Sequence, residues 1–399
     1  MEKILREKYE FEVKKAIGKG NAIVLAGHRR AGKSIILEQL STELGKSGNV
    51  IFIDMENPDF LSIRNVSDLN EYIKENKSDS SHNYLLIDEV QEIEEFERIL
   101  RYWAKQDDFD VIVTGSNAFL LSSEIATLLA GRHTTIKIYG LDYQEFLKFY
   151  QLTDSDESLA IYMKWGGLPF LHKIPLTDER SRTDYLGDIF NTIFVKDIIT
   201  RHKIRNVNLL NNLAGFMADN CGKLFSPNSI AKYLKNDVST VTSNTISEYV
   251  GYFCDTYLID KVERYDIKGK KIFEQQEKYY FEDLGIRNYL CRNKKNYDVE
   301  KIMGNIVYLR LKQLGYDVYV GQLNGKEIDF VAKNGDDIRY YQVSKTISSE
   351  ETYEREYGNL KLIHDNYPKY VITMDPMSTL INEDGIKTIL LRKFLMEGV

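Results

Sequence analysis

The hydrophobic pattern of the first third changes period repeatedly. "NAIVLA" (residues 21–26), "NYLLIDEVQ" (83–91) and "FDVIVTGSNA" (109–118) each contain a continuous apolar run of strand length, the mark of a strand buried on both faces. In "KSIILEQLSTELG" the apolar residues Ile35, Ile36, Leu40 and Leu44 recur at helical spacing, and Gly45 ends the run. Residues 146–206 keep helical periodicity, interrupted at Gly166, Gly167 and Pro169 and resumed in the amphipathic "DIFNTIFVKDIITRHKI". From 207 to 275 the pattern predicts short helices, "NLLNNLAGFMADNCG", "SPNSIAKYL" and "TVTSNTISEYVGYFCDTYLI", then a hairpin, "DKVERYDIKGKKIF". Ser226 before Pro227 supplies an N-cap and first-turn pair. The remainder reads as helix, strand, strand, strand. This divides the chain into a nucleotide-binding α/β domain (1–145), a helical lid (146–206), a winged helix (207–275) and a C-terminal α/β domain (276–399).

The chemistry concentrates where the first strand meets its helix. "GHRRAGKS" (27–34) is GxxxxGK[ST] in the strand-loop-helix setting that a phosphate loop needs. Gly27 and Gly32 let the backbone turn its N–H groups toward phosphate oxygens at a helix N-terminus, Lys33 would neutralise the β- and γ-phosphates, and Ser34 would ligate Mg²⁺. A second apolar strand ends in Asp88, suited to holding Mg²⁺, and Glu89, suited to orienting and activating the attacking water. The next strand ends in Thr114, Ser116 and Asn117. In the additional-strand class of P-loop NTPases this strand inserts between the other two, so its polar tip lies beside the γ-phosphate. Asn117 or Ser116 would sense hydrolysis there, or simply cap the following helix, "AFLLSSEIATLLAG". Arg132, just beyond that helix, is either a partner for its C-terminal dipole or an arginine finger donated to a neighbouring subunit.

Length and composition narrow the setting. At 399 residues and 46.4 kDa the chain exceeds one ordinary core, and 43% hydrophobic with 28% charged residues is ordinary for a water-soluble protein. No run approaches the roughly 18 apolar residues of a membrane helix, and the N-terminus lacks a signal-peptide core, so no membrane partner and a cytoplasmic address are expected. Cys221, Cys254 and Cys291 lack metal-binding spacing. A net charge of −7 excludes a generally basic nucleic-acid coat, so any DNA contact must be local. Thr240, Thr242, Ser243, Asn244 and Thr245 on the recognition helix, with Lys268, Lys270 and Lys271 on the wing, are the candidates for duplex DNA; the same surface serves equally as a protein contact.

"GHRRAGKS", "LLIDEVQ", "VTGSNAFLLSSEIATLLAGR", "WGGLPF" and "VKDIITR" succeed one another as they do in the archaeal-type AAA+ ATPases of bacteria and archaea that carry a C-terminal restriction-endonuclease-like domain of unassigned function. The resemblance spans nearly the whole chain. It implies ATP rather than GTP, adds Arg30 to the phosphate site, and leaves homo-oligomerisation open. Tyr9 and Phe11 are candidates for the adenine pocket.

The C-terminal "GNIVYLRLKQLGYDVYVGQLNGKEIDFVAKNGDDIRYYQVSK" resembles the core of the PD-(D/E)xK nucleases, where a helix Glu, a strand Asp and a strand (Glu/Gln)-x-Lys gather Mg²⁺ around a phosphodiester. Asp329 and Gln342 match that pattern. Gly304 stands where relatives often have Glu, and Lys345 comes one residue late, which points it to the other face of its strand. A degenerate nuclease-like site of Asp329, Gln342 and Lys345 is therefore expected. Three functions remain: a Mg²⁺-dependent ATP-hydrolysing switch or motor acting on DNA or a protein partner, a nucleotide-gated scaffold with little turnover, and an ATP-dependent DNA nuclease.

Overall fold

Strand β1 (Ala22–Ala26) is buried along its whole length because both of its edges are taken, by β4 (Phe109–Gly115) on one side and β5 (His133–Lys137) on the other. With β2 (Asn49–Asp54) and β3 (Asn83–Asp88) they form a five-stranded parallel sheet in the order β2-β3-β4-β1-β5. The strand after the acidic pair thus inserts between that pair's strand and the phosphate-loop strand. Side chains alternate across the sheet. Ile23, Leu25, Leu86 and Ile112 face one core with Val13 of α1 (Glu7–Ala16) and Leu37 and Leu40 of α2 (Lys33–Leu44). Val24, Leu85, Ile87, Val111 and Val113 face a second core with Leu69 and Ile73 of α3 (Val66–Asn76) and Leu100 and Trp103 of α4 (Phe96–Trp103). Helices on both faces explain why these strands show no apolar-polar alternation in sequence.

The computed structural model describes residues 4–115, 131–234, 241–292, 298–347, 349–380 and 382–398; Ser116, Asn117 and Thr240 lie outside them. The chain forms two compact units, residues 1–140 with 255–257, and residues 141–254 with 258–399.

The second unit opens with α5 (Tyr143–Tyr150), held by a reciprocal capping box between Asp142 and Glu145, then α6 (Asp156–Trp165) and α7 (Glu179–Thr192), which widens into π-helical Ile193–Thr200. Next come α8 (Val207–Asp219), α9 (Pro227–Leu234) and α10 (Ser243–Asp255), the last beginning where the Thr242 hydroxyl accepts the Thr245 N–H. The hairpin of β6 (Ile259–Asp266) and β7 (Lys271–Phe281) is not a free-standing wing. It forms one edge of an eight-stranded sheet, β12-β13-β11-β10-β9-β8-β6-β7, in which β6 runs parallel to β8 (Asp317–Leu323) through Arg264 opposite Val320. The boundary expected at 275/276 therefore falls inside β7. Between these strands lie α11 (Leu284–Cys291) and α12 (Val299–Gln313), and β9 (Lys326–Asn334) and β10 (Asp337–Ser344) complete the helix-strand-strand-strand order. β11 (Lys369–Thr373), β12 (Asn382–Glu383), β13 (Ile386–Leu390) and α13 (Leu391–Glu397) finish the chain.

One junction accounts for "WGGLPF". Gly166, at φ +74°, ends α6 against the N-terminus of α11, where a Cβ would come within 2.5 Å of Gly285 N and 2.6 Å of an Asp283 carboxylate oxygen. Asp283 is buried and accepts the N–H groups of Gly167 at 2.8 Å and Ile286 at 3.1 Å. Burial raises its carboxyl to about 6, against the pull of those N–H groups.

Candidate functional site

The C-terminal ends of β1, β3 and β4 meet at one edge of the parallel sheet, and the groups that converge there are those that nucleotide chemistry uses. Gly27 adopts φ +154°, and a Cβ on it would lie 2.1 Å from the carbonyl oxygen of Ile138. Gly32 caps α2 at φ +98°. Arg30 takes a left-handed φ of 66° and is exposed at the turn of the loop. Lys33 is buried, with Nζ donating to the carbonyls of Gly27 at 2.9 Å and His28 at 3.1 Å, so the ammonium is folded back under its own loop. The loop's sequence achieves this because only glycine fits at 27.

Asp88 ends β3, buried, and its carboxylate accepts hydrogen bonds from the hydroxyls of Thr114 and Ser34. Burial raises its pKa and the hydroxyls oppose the rise, while Glu89 and Asp54 add repulsion. Asp54 pairs in register with Asp88 across β2 and β3, so three carboxylates crowd this edge. Glu89 is held at φ 53° by its N–H donating to Thr114 Oγ1 at 3.0 Å, and its carboxylate accepts from the Gln91 amide. Thr114 thus links the inserted strand to both acids. A hard cation suits this donor set: a hydroxyl beside a buried carboxylate already strained by two neighbouring negative charges.

Three further residues were not legible in the spacing. His28 is buried within the loop, its Nδ1 2.5 Å from the Arg29 carbonyl; burial lowers its pKa to about 4 and keeps the ring neutral, with Nε2 unbonded among the described residues. Asp54 supplies the third carboxylate. Arg6 is buried and donates to the carbonyls of Ala31 at 3.0 Å, Tyr139 at 2.8 Å and Gly140 at 3.1 Å, tying the phosphate loop to the end of β5.

Other expected residues lie elsewhere. Arg132 is exposed and precedes β5, where His133 stands opposite Ala22 at the start of β1. At about 3.3 Å per residue the strand separates Arg132 from this chain's own loop by about 16 Å or more. Asn117 and Ser116 fall outside the described residues. Tyr9 and Phe11 do not form an adenine pocket together: Tyr9 is sealed in the core with its hydroxyl accepting from Tyr139 N at 3.1 Å, because the helical turn that buries it leaves Phe11 69% exposed.

The second unit holds a cavity of about 550 Å³ between β7, β9, β10, α12 and the helical residues 354–359. Asp329 and Gln342 line it, joined by the Asp329 N–H donating to Gln342 Oε1 at 2.6 Å, and Asp329 Oδ2 accepts Val343 N at 2.9 Å. Lys345 does not: it is exposed beyond the end of β10. Lys223, Lys278 and Lys301 line the cavity instead, and the buried one is Lys278 of β7, 2.6 Å from Glu327. Glu356, 2% exposed, is the second buried carboxyl; burial and the nearby Asp329 charge raise it to about 7. Neither residue was expected from sequence, since each arrives from an element far along the chain from Asp329. Among the candidates for duplex DNA, Lys268, Lys270 and Lys271 are exposed at the β6–β7 turn, whereas Thr242 and Thr245 bond one another across the start of α10 at 3.0 Å.

Comparison with known proteins places this geometry in context. Residues 19–147 match an AAA domain, and residues 156–297 match a domain of unknown function, DUF8612. An uncharacterized protein of Haemophilus influenzae is 35% identical over 359 residues, 88% of this chain and 88% of that protein. An uncharacterized protein of Methanocaldococcus jannaschii is 29% identical over 386 residues, covering 92% and 83% respectively. Among solved structures, the Walker-type ATPase of Pyrococcus abyssi is 15% identical with a TM-score of 0.49, covering 72% of this chain and 95% of its own. No helix among the described residues is long and apolar enough to cross a membrane.

Proposed function

Because the chain carries an AAA domain and belongs to one family with the uncharacterized Haemophilus influenzae protein, we propose that it is a Mg²⁺-dependent ATP-hydrolysing switch or motor. One observation carries the reading: Lys33, Ser34, Asp88 and Glu89 converge at one sheet edge, with Thr114 of the inserted strand bonded to both acids.

The loop amides from Gly27 to Lys33 and the Lys33 ammonium bind the β- and γ-phosphates; the two carbonyls that hold Lys33 position its charge before the nucleotide arrives. Ser34 and Asp88 would hold Mg²⁺, which supplies neutralising charge to the phosphates when bound. Glu89 accepts the proton of the attacking water, and Gln91 fixes the carboxylate that does so. Thr114 fixes Asp88 by its hydroxyl and the Glu89 backbone by its oxygen, so it positions both acids without touching substrate. Asn117 is assigned the sensing of the γ-phosphate, and Arg132, distant from its own loop, the role of a finger donated to a second copy of this chain.

The target is DNA or a protein partner, and the exposed lysines of the β6–β7 turn favour a polyanion at that edge. Steady-state hydrolysis of ATP by wild type, Lys33→Ala and Glu89→Gln, each with and without duplex DNA, tests the reading. Lys33→Ala loses nucleotide binding, while Glu89→Gln binds and turns over at least about a hundredfold more slowly. Equal rates in all three refute it; Lys33-dependent hydrolysis indifferent to DNA directs the search to a protein.

A further inference from the structure

The turn that follows β3 carries a buried polar atom for which the described fold supplies no partner. After Glu89 the chain makes a single helical turn, Val90–Glu92. Val90 is fully buried in the core shared with α3 and α4, which pins the turn in place. Residues two apart in a helical turn ordinarily face different ways. Here the left-handed backbone of Glu89, at φ 53° and held by Thr114 Oγ1, brings the Gln91 side chain back onto the Glu89 carboxylate. Non-glycine residues persist in that region only where their surroundings enforce it, and such positions gather at functional sites.

The contact fixes which end of the Gln91 amide faces the acid. Only the NH₂ group can donate to a carboxylate, so Nε2 lies on Glu89 Oε2 and Oε1 is the end turned elsewhere. Oε1 is buried, and no donor reaches it among the described residues. Other donors at this sheet edge are committed: the hydroxyls of Thr114 and Ser34 bond Asp88, and the Lys33 ammonium bonds the carbonyls of Gly27 and His28. A buried acceptor without a donor is rare in a folded chain and calls for one that arrives with the reaction. ATP carries its own N–H and O–H donors on the adenine and ribose, the length of the triphosphate away from the γ-phosphate. The donor that hydrolysis brings to Glu89 is the attacking water.

We infer that Gln91 Oε1 accepts one hydrogen of the attacking water while Glu89 accepts the other, which makes Gln91 a second catalytic contact to that water. Gln91 takes this role only if the site hydrolyses ATP as proposed above. The reach is suitable: the two ends of an amide are about 2.2 Å apart and a hydrogen bond spans about 2.8 Å, so Gln91 Oε1 and Glu89 Oε2 lie within about 5 Å. A water that donates both hydrogens at about 2.8 Å bridges acceptors about 4.4 Å apart, and its lone pairs then face away from both, toward phosphorus. As that oxygen bonds the γ-phosphorus, the bond from phosphorus to the bridging oxygen breaks and its electron pair leaves on ADP. One proton passes to Glu89, and the other stays on the new phosphate oxygen, bonded to Gln91, until the product leaves.

Two analogue complexes test this on the full chain: ADP with fluoroaluminate, which holds a water in line, and ADP with fluoroberyllate, which mimics the bound γ-phosphate. In a Glu89→Ala background no carboxylate remains for Gln91 to hold. Adding Gln91→Met there, which keeps the volume and removes both ends of the amide, should weaken fluoroaluminate binding about tenfold, the worth of one well-made hydrogen bond. Fluoroberyllate binding should stay unchanged, which also shows the site still folded. In the otherwise native chain, Gln91→Met should lower kcat at least about tenfold at constant KM. Equal fluoroaluminate affinities with and without Gln91→Met in the Glu89→Ala background would reduce Gln91 to a support for Glu89 and overturn the assignment. Equal weakening of both complexes would overturn it too, by placing the residue in nucleotide binding. Fluoroberyllate binding that survives Lys33→Ala would instead sink the nucleotide reading itself.

Discussion

Replacing Gly27 by alanine tests whether the phosphate loop is shaped by the strand beside it. The new methyl carbon would stand 2.1 Å from Ile138 O and 3.1 Å from Ile138 C, both backbone atoms. Relief requires the chain after β5 to retreat by roughly 1 Å, since contacts below about 3 Å are repulsive. That chain is pinned by Ile138 N donating to Ala26 O at 2.7 Å and by Arg6 on Tyr139 O at 2.8 Å. A lost backbone hydrogen bond contributes about 1 kcal/mol, overpacking about 1–3 kcal/mol, and the positive φ about 1–2 kcal/mol. The expected loss is roughly 3–6 kcal/mol, a large share of a domain's stability. Gly18→Ala is the matched control: φ is +76° with nothing within 4 Å of the added carbon, so only the backbone cost of about 1–2 kcal/mol applies. The two tryptophans make the assay specific, because Trp103 lies in the first unit and Trp165 in the second. In a Trp165→Phe background, urea unfolding read by Trp103 fluorescence reports the first unit alone. Midpoints shifted equally by Gly27→Ala and Gly18→Ala would refute the reasoning.

Arg6→Met strips the Arg6 donors from the carbonyls of Ala31, Tyr139 and Gly140, the first two in buried contacts and the third half-buried. It should cost about 3 kcal/mol in the same Trp103 assay and weaken binding of a fluorescent ATP analogue; Arg6→Lys recovers part of the stability, and an unchanged midpoint in Arg6→Met counts against the link. Asp283 predicts a pH dependence confined to the second unit. Its carboxyl, raised by burial from 3.8 to about 6, keeps a proton in the folded state that the unfolded chain releases between roughly pH 4 and 6. The folded state therefore binds more protons across that window, and stability falls as pH rises through it, by at most about 3 kcal/mol. Asp283→Asn should flatten this slope in urea midpoints read by Trp165 fluorescence at pH 4.5 and 7; a slope equal to wild type excludes Asp283 as its source.

What could be read from the sequence was set by how local each feature is. The phosphate loop occupies eight consecutive residues, and its strand and helix follow from flanking periodicity, so Gly27, Gly32, Lys33 and Ser34 were all visible before any tertiary contact was known. Asp88 and Glu89 were visible because a buried strand that ends in two acids is a local event. Asp54 is also an acid ending an apolar strand, yet its importance depends on β2 lying in register with β3, and strand order is not written in spacing. The same limit separates Lys345 from Lys278. Lys345 lies exposed beyond the end of β10, while the buried lysine of the cavity wall, Lys278, enters from β7, whose place at the edge of the larger sheet is not written in local pattern. Arg6 marks the extreme case: one of several cations in "MEKILREK", nothing in the sequence sets it apart, and only the fold shows it buried against carbonyls from Ala31 and from Tyr139 and Gly140. Backbone carbonyls carry no sequence signature, so a residue whose partners are all main-chain oxygens is invisible to motif reading however strongly it is held. The opposite follows for Gly27, whose need for glycine is imposed by Ile138, more than a hundred residues away, yet coincides with a motif position. There the loop's sequence and the sheet's order specify the same residue for different reasons, and Gly27→Ala separates them, because nucleotide affinity reports the first and Trp103 the second.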